Sequence, residues 1–100
     1  MDPAIPDIKI SDVVVSTAGR DQGELFYVIG EEPLYVILAN GKDRSLDKPK
    51  RKKRKHVQKV LRSETRVADK IRLGDKVLNG ELRRDLAFLA SHLQANNLGG

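Results

Sequence analysis

Residues 24–39 read ELFYVIGEEPLYVILA, and this stretch decides the fold. Residues 24–29 and 34–39 are apolar runs of strand length, and the glycine and the proline of residues 30–33 break regular structure between them. The pattern predicts a β-hairpin. Because successive residues of a strand point to opposite faces, runs that are apolar at nearly every position give the hairpin two apolar faces.

A sheet that is apolar on both faces needs cover on both. Upstream, residues 13–16 begin with three β-branched valines and predict a further strand. Downstream, residues 56–61 can close the sheet, although Val57 and Val60 are three apart, which predicts a short strand, a bulge or an early end to pairing. The chain is therefore predicted to be mainly β, with a small barrel whose outside is partly covered by the C-terminal segment.

The C-terminal segment carries a helical pattern. Asn79 is a good N-cap, and an amphipathic helix is predicted over about residues 80–94 because leucines recur at helical spacing, at positions 82, 86, 89 and 93. We expect residues 1–62 to form the barrel. Residues 63–100 are expected to form a helical extension that packs on the barrel within the same folding unit, since 100 residues suffice for one core only.

Residues 63–74 are compatible with two structures. Ser63 and Gly74 suit the two ends of a short helix, whereas Ile71 and Leu73 alternate as they would in a strand. The spacing favours the helix and leaves the strand open.

Residues 48–55 read KPKRKKRK, which places seven cations among eight residues. The wider segment 42–62 has eleven Lys/Arg and two acids, a charge of about +9, whereas the rest of the chain has eight Lys/Arg and twelve acids, about −4. Following the Asn-Gly turn signal at residues 40–41, this basic run predicts a long polar loop over residues 42–55. Clustered cations neutralise phosphates and release counterions, so the run predicts binding to nucleic acid.

Several function classes receive no support from the sequence. There is no cysteine, and the two histidines lack the further ligands that a metal site needs. No apolar stretch approaches the roughly 20 residues of a membrane span, and the first residues lack the pattern of a secretory signal, so we expect a cytoplasmic protein that does not contact a membrane. No spacing of nucleophile, acid or base suggests an enzyme, and no cofactor is expected.

Five features occur in a fixed order between residues 12 and 58. They are the valine strand, the loop Gly19-Arg20-Asp21-Gln22-Gly23, the apolar strand after it, the Asn40-Gly41 turn, and the basic run leading into Lys55-His56-Val57-Gln58. In this combination the chain resembles the KOW-motif RNA-binding family. Within that family it looks like small bacterial KOW-domain proteins, which are similar to an archaeal and eukaryotic large-subunit ribosomal protein.

The resemblance implies an SH3-like β-barrel that binds RNA, usually ribosomal RNA, and acts in translation or ribosome assembly. Arg20 offers a planar fork of donors for phosphate or guanine, and the flanking glycines let the backbone approach RNA closely. His56 can hydrogen-bond RNA or stack on a base. The predicted RNA-binding residues are Gly19, Arg20, Gly23, Arg44, Lys48, Lys50, Arg51, Lys52, Lys53, Arg54, Lys55, His56 and Lys59.

Each of these signals also has a plainer interpretation. The basic run can be a solvated loop or, in a host with a nucleus, a localisation signal. The glycines can serve the turn alone while Arg20 pairs with Asp21 or Glu24, and His56 can be a structural residue at the start of a strand.

Two other binding functions stay open. Phe88 falls roughly opposite the leucine stripe of the last helix, so a protein partner such as a transcription or translation factor can dock there, with the basic run adding affinity. DNA binding is the other, because phosphate neutralisation does not distinguish between nucleic acids. We expect a monomer.

Overall fold

The fold combines a five-stranded sheet with two helices. The computed structural model describes residues 6–99, and their side chains through residue 93. In chain order the elements are β1 (Asp12–Ser16), β2 (Leu25–Glu31), β3 (Tyr35–Ala39), β4 (Lys50–Lys53), a 3₁₀ helix (Arg54–His56), β5 (Val57–Arg62), α1 (Arg66–Leu73) and α2 (Asn79–Gly99). The predicted combination of a β-sheet with a helical C-terminal part is confirmed.

The strands are ordered β4-β3-β2-β1-β5, and every neighbouring pair is antiparallel. β2 and β3 form the hairpin predicted from residues 24–39, with Tyr27 opposite Ala39 and Val28 opposite Leu38. β1 lies inside the sheet between β2 and β5, which are its two partners.

Apolar side chains pack on both faces of the sheet, as the hairpin pattern predicted. Neighbours on β2 point in opposite directions, so Tyr27 enters the core under the helices and Phe26 enters the other core. Burying a side chain of this kind contributes about 1.5–3 kcal/mol. The core under the helices consists of Val13, Tyr27, Ala39, Val67, Ala68, Leu82, Leu86 and Leu89. The opposite core consists of Ile8, Val14, Phe26, Val28, Val36, Leu38 and Val57.

The irregularity predicted near Val60 is a bulge in β5. Val13 of β1 lies opposite Leu61, whereas the next residue, Val14, lies opposite Lys59. Val60 is the extra residue between them, so the spacing of three noted in the sequence corresponds to a shift in register.

The basic run contains a strand, which corrects the predicted loop over residues 42–55. β4 pairs with β3, with Val36 opposite Lys52 and Ile37 opposite Arg51. A strand made of consecutive cations lacks the alternation of apolar and polar residues by which strands are recognised in a sequence. Backbone hydrogen bonds to β3 hold this strand in the sheet. The loop is confined to the residues before β4, where Oδ1 of Asn40 accepts hydrogen bonds from the amides of Lys42 (2.9 Å) and Arg44 (3.0 Å).

The ambiguous segment 63–74 contains the helix α1. Its N-cap is Thr65, whose Oγ1 accepts a hydrogen bond from the amide of Ala68 at 3.2 Å, and not Ser63 as expected. Gly74 ends the helix with φ of 75°, which confirms its predicted role as the C-cap.

The last helix, α2, begins where the sequence predicted and continues to Gly99, past the predicted end near residue 94. Asn79 does not cap it as expected, because its Oδ1 accepts from the amide of Leu46 at 2.8 Å and so holds the loop before β4. The carboxylate of Glu81 instead accepts from the amide of Leu78. Neither α1 nor α2, as far as they are described, has the length and apolar character to cross a membrane.

Candidate nucleic-acid interface

The glycine-rich loop, residues 19–23, is a tight turn between β1 and β2. The amide of Gln22 donates to the carbonyl of Gly19 (3.2 Å), and the amide of Gly23 donates to the carbonyl of Ser16 (2.8 Å). Gly19 and Gly23 have φ of 87° and 92°, a conformation that residues with a side chain rarely adopt. A Cβ at Gly23 would meet no atom within 4 Å, so conformation and not crowding requires glycine there.

Asp21 ties this loop to the basic strand. Its Oδ1 accepts from Nζ of Lys52 at 2.7 Å, and its Oδ2 accepts from Nζ of Lys50 at 2.8 Å. Nζ of Lys52 also donates to the carbonyl of Ala18 at 2.7 Å, and the Lys52 side chain is only 7% exposed. The two segments predicted to bind RNA, far apart in the sequence, are therefore adjacent in space.

The charge state of Asp21 follows from these contacts. Burial by itself opposes ionisation, but the hydrogen bonds from Lys50, Lys52 and Ser16 outweigh it and hold the pKa of Asp21 well below its usual value. The carboxylate is thus charged at neutral pH. It neutralises one of the two ammonium groups that face it, so the burial of Lys52 is compensated.

Arg51, on the opposite face of β4, is engaged with its own sheet. Its Nε and Nη2 donate to the carboxylate of Glu32 at 2.8–3.1 Å, and these bonds hold the pKa of Glu32 below its usual value. The guanidinium lies 3.6 Å from the centre of the Tyr35 ring. This face of the ring is therefore covered by a cation and is closed to a stacking base.

Arg54, in the 3₁₀ helix, is buried and holds the chain before β1. Its Nη1 donates to the carbonyl of Ile8 at 2.8 Å, and its Nε donates to the carbonyl of Glu32 at 2.9 Å. Nη2 lies 3.6 Å from the carboxylate of Glu31. These contacts give Arg54 a structural role that its position in a run of cations did not indicate.

The cations predicted to bind RNA fall into two equal groups. The first group pairs with carboxylates within the protein and consists of Lys50, Arg51, Lys52, Arg54 and Lys59. Lys59, the last of them, lies 3.3 Å from the carboxylate of Asp12. The second group has no carboxylate within 4 Å in the described part of the chain. It consists of five exposed cations, which are Arg20, Arg44, Lys48, Lys53 and Lys55.

An open groove of about 390 Å³ lies between the glycine-rich loop and β4; we call it the β4 groove. Its loop wall includes Ala18 and Gly19. Its other wall consists of the four cations Lys50, Arg51, Lys52 and Lys53, with His56 and Tyr35 beside them. The groove thus joins a backbone that a ligand can approach closely to side chains that carry positive charge.

One sequence candidate lies elsewhere. Phe88 is 62% exposed on α2, and its ring stacks on that of His92 with centroids 6.1 Å apart. Within residues 6–93, no three side chains of the types that bind metals come together.

No family model and no curated protein sequence matches this chain. Functional assignment therefore depends on the residues and their geometry. Asp21 and Glu32, which pair with Lys52 and Arg51 of the candidate interface, are not among the RNA-binding residues predicted from the sequence. The sequence signal for Asp21 was the presence of an acid in the glycine-rich loop of a chain that also has a lysine-rich segment.

Proposed function

We propose that this chain is a KOW-type RNA-binding module that acts on ribosomal RNA in translation or ribosome assembly. The observation that carries the proposal is the β4 groove, in which the glycine-rich loop and the basic strand form one surface. Five antiparallel strands with an apolar core on each face are compatible with the SH3-like barrel that the resemblance implies.

The five exposed cations supply the attraction for phosphate. Arg20 lies in the glycine-rich loop, Lys48 precedes β4, Lys53 is the last residue of β4, and Lys55 lies within the 3₁₀ helix. Five phosphate contacts predict a slope of log affinity against log salt of about −3.5 to −4.5. Affinity should then fall roughly 100- to 500-fold between 50 and 200 mM salt.

The cations that pair with carboxylates within the protein have a structural role in this proposal. Lys50 and Lys52, held by Asp21, fix the position of the glycine-rich loop against β4. A surface held in one shape can recognise the shape of folded RNA, whereas dispersed charge alone does not distinguish one sequence from another. Specificity then comes from RNA shape and from contacts to bases or 2′-hydroxyls near the loop backbone and His56.

The test is a triple variant of exposed lysines, Lys48→Gln, Lys53→Gln and Lys55→Gln, measured against ribosomal RNA fragments and in ribosome co-sedimentation. Each lost phosphate contact should reduce the salt slope by about one, so the slope should fall by about three. The matched control removes three charges away from the interface through Lys9→Gln, Arg66→Gln and Lys76→Gln. An equal loss of RNA affinity in both triple variants would show that net charge, and not the β4 groove, determines binding. Unchanged RNA binding in the first variant would refute the proposal.

DNA binding is decided in the same experiment by competition. Duplex DNA of equal length is added to the complex with labelled RNA. Under the proposal, RNA should retain the protein, because the shaped surface, not charge alone, selects it. Displacement by duplex DNA at equal concentration would favour a DNA-binding function.

The exposed ring of Phe88 supports a second candidate, a protein-interaction adaptor. Exposed aromatic residues are common anchors of protein interfaces. An adaptor complex formed through this ring should resist salt and be lost in Phe88→Ala. RNA binding as proposed should show the opposite behaviour in both respects.

A further inference from the structure

A second groove lies on the other side of the glycine-rich loop, between this loop and α2; we call it the α2 groove. Its volume is about 460 Å³, within the usual range of ligand sites. Its apolar surface comes from β2 and from one side of the helix, namely from Leu25, Leu86, Ala87 and Ala90. The groove is open to solvent along the backbone of Gly23, where even a Cβ would meet no atom within 4 Å.

Two cations stand at the border of the α2 groove. Lys42 and Arg83 are both exposed, and neither has a carboxylate within 4 Å among the described residues. Nη1 of Arg83 donates to the carbonyl of Gly41 at 3.1 Å, which holds the guanidinium beside the turn that carries Lys42. Glu24 is the one acid among the lining residues, so the cations outnumber it.

The two grooves are neighbours across a single turn. Gly19 lines the β4 groove and Gly23 lines the α2 groove. The hydrogen bond between Gln22 and Gly19 closes a turn whose ends lie within about 7 Å. A strand of RNA held in the β4 groove therefore has only this turn to cross before it reaches the α2 groove.

We propose that the α2 groove binds one unpaired nucleotide of the RNA held in the β4 groove. Its base lies on the apolar surface of Leu25 and Ala87, and its phosphate lies between Lys42 and Arg83. This inference rests on the proposed RNA-binding function and adds to it a direct role for the helical extension.

The combination of surfaces selects this occupant. An apolar surface beside two cations matches a nucleotide, which joins a flat base to an anion, better than it matches an apolar peptide. A fully paired duplex keeps its bases stacked and hydrogen-bonded, so it cannot place one in the groove. RNA loops and bulges present unstacked bases, and sequence-specific RNA recognition uses these.

The test compares two RNA hairpins with identical stems, one of which carries a single bulged nucleotide. Fluorescence anisotropy at 150 mM salt gives the affinity of the full chain for each. Contact between a base and a protein surface of this kind predicts about tenfold tighter binding of the bulged hairpin. In ¹⁵N spectra, the amides of Gly23 and Leu25 should shift with the bulged hairpin and not with the paired one.

Variants separate the groove from general charge. Ala87→Leu fills the α2 groove with a good helix former, so it should abolish the preference for the bulge and leave binding of the paired hairpin unchanged. Ser91→Leu, which places the same side chain on an exposed part of the same helix, is its control. Lys42→Gln with Arg83→Gln should weaken binding of the bulged hairpin more than the pair Lys9→Gln with Arg66→Gln.

The outcomes are distinguishable. Equal affinity for the two hairpins, with normal salt dependence, would overturn the nucleotide site and leave the proposed function standing. A preference that survives Ala87→Leu would do the same. If an acidic peptide with leucine and phenylalanine residues shifted the Gly23 and Leu25 amides and the bulged hairpin did not, the groove would be a peptide site. If neither hairpin bound, the proposed function itself would be refuted.

Discussion

The hydroxyl of Tyr27 lies 2.5 Å from the carboxylate of Asp85, and this contact joins the middle of the sheet to α2. The same carboxylate oxygen accepts from Oγ1 of Thr65 at 2.9 Å, and Oγ of Ser63 lies 2.7 Å from the Tyr27 hydroxyl. Tyr27 is fully buried, so its hydroxyl depends on these partners. The cluster therefore fixes how the helical extension sits on the sheet.

Stability at alkaline pH should depend on Tyr27. Burial and the neighbouring Asp85 raise the pKa of Tyr27 to about 12, whereas a tyrosine in an unfolded chain titrates near 10. The folded chain keeps this proton where the unfolded chain has lost it, so the contribution is full below pH 10 and is lost as the pH rises towards 12. Denaturant titrations should show a loss of roughly 2–3 kcal/mol over this interval.

Tyr27→Phe is the control for this titration, because phenylalanine has no proton to release. The variant should be less stable at neutral pH by about 1–2 kcal/mol and should depend less steeply on pH above 10. Parallel curves for the two proteins would show that Tyr27 does not titrate as described.

Asp21→Asn should destabilise the fold by about 3 kcal/mol, because it leaves the ammonium of Lys52 buried without an anion. The low pKa of Asp21 gives the sign of the acid dependence: its contribution is full above about pH 4 and is lost as the pH falls through the folded-state pKa. Urea unfolding at several pH values measures both effects. The control Asp47→Asn changes the same charge at an exposed site and should stay within about 0.5 kcal/mol. Similar losses in both variants would contradict this role for Asp21.

Arg54 and Lys53 should respond in opposite ways although they are adjacent. Arg54→Lys keeps the charge but loses the fork that reaches the carbonyls of Ile8 and Glu32, which should cost about 2 kcal/mol of stability and leave RNA affinity unchanged. Lys53→Gln should leave stability within about 0.5 kcal/mol and lower the salt slope of RNA binding by about one. Thermal unfolding measures the stability of both variants, and anisotropy titrations measure their RNA binding. If the two variants changed in the same way, burial would not separate structural from RNA-binding cations in the basic run.

Two glycines with the same backbone angle provide a matched pair. Gly41 and Gly74 both have φ of 75°, but a Cβ at Gly41 would collide with the carbonyl oxygen of Asn79, whereas one at Gly74 meets nothing within 4 Å. Gly74→Ala should cost about 1–2 kcal/mol from conformation alone. Gly41→Ala should cost at least about 3 kcal/mol, because the first turn of α2 must also move. Equal unfolding free energies would indicate that the turn and the helix are not in contact.

The sheet was predictable where burial has an apolar signature. Residues 24–39 are apolar on both strands, so the hairpin and its two cores followed from alternation. The helix over residues 66–73 was distinguishable from a strand by its spacing and by Gly74. The choice of cap was not, because Ser63 and Thr65 are chemically alike, and no local signal shows that Oγ of Ser63 accepts from the Tyr27 hydroxyl while Oγ1 of Thr65 accepts from the amide of Ala68.

β4 was not predictable by the same reasoning. Its inward residue Lys52 and its outward residues Arg51 and Lys53 are all cations, so a period of two exists in burial without appearing in hydropathy. The acid that explains the burial of Lys52, Asp21, lies 31 positions earlier in the chain. For the candidate site, the sequence identified two segments that the fold brings together, but it could not tell which of their charges are already neutralised within the protein.

The position of β1 inside the sheet has a consequence for synthesis. Asp12 pairs with Arg62, so one edge of β1 has no neighbour until most of the chain has been made. During translation the hairpin of β2 and β3 can form early, with an open strand edge and with an apolar face that still lacks α2. Open edges and uncovered apolar faces invite aggregation. The nascent chain is therefore most prone to aggregate between the emergence of β3 and that of the helices, because a chain that ends there lacks the β5 strand that pairs with β1.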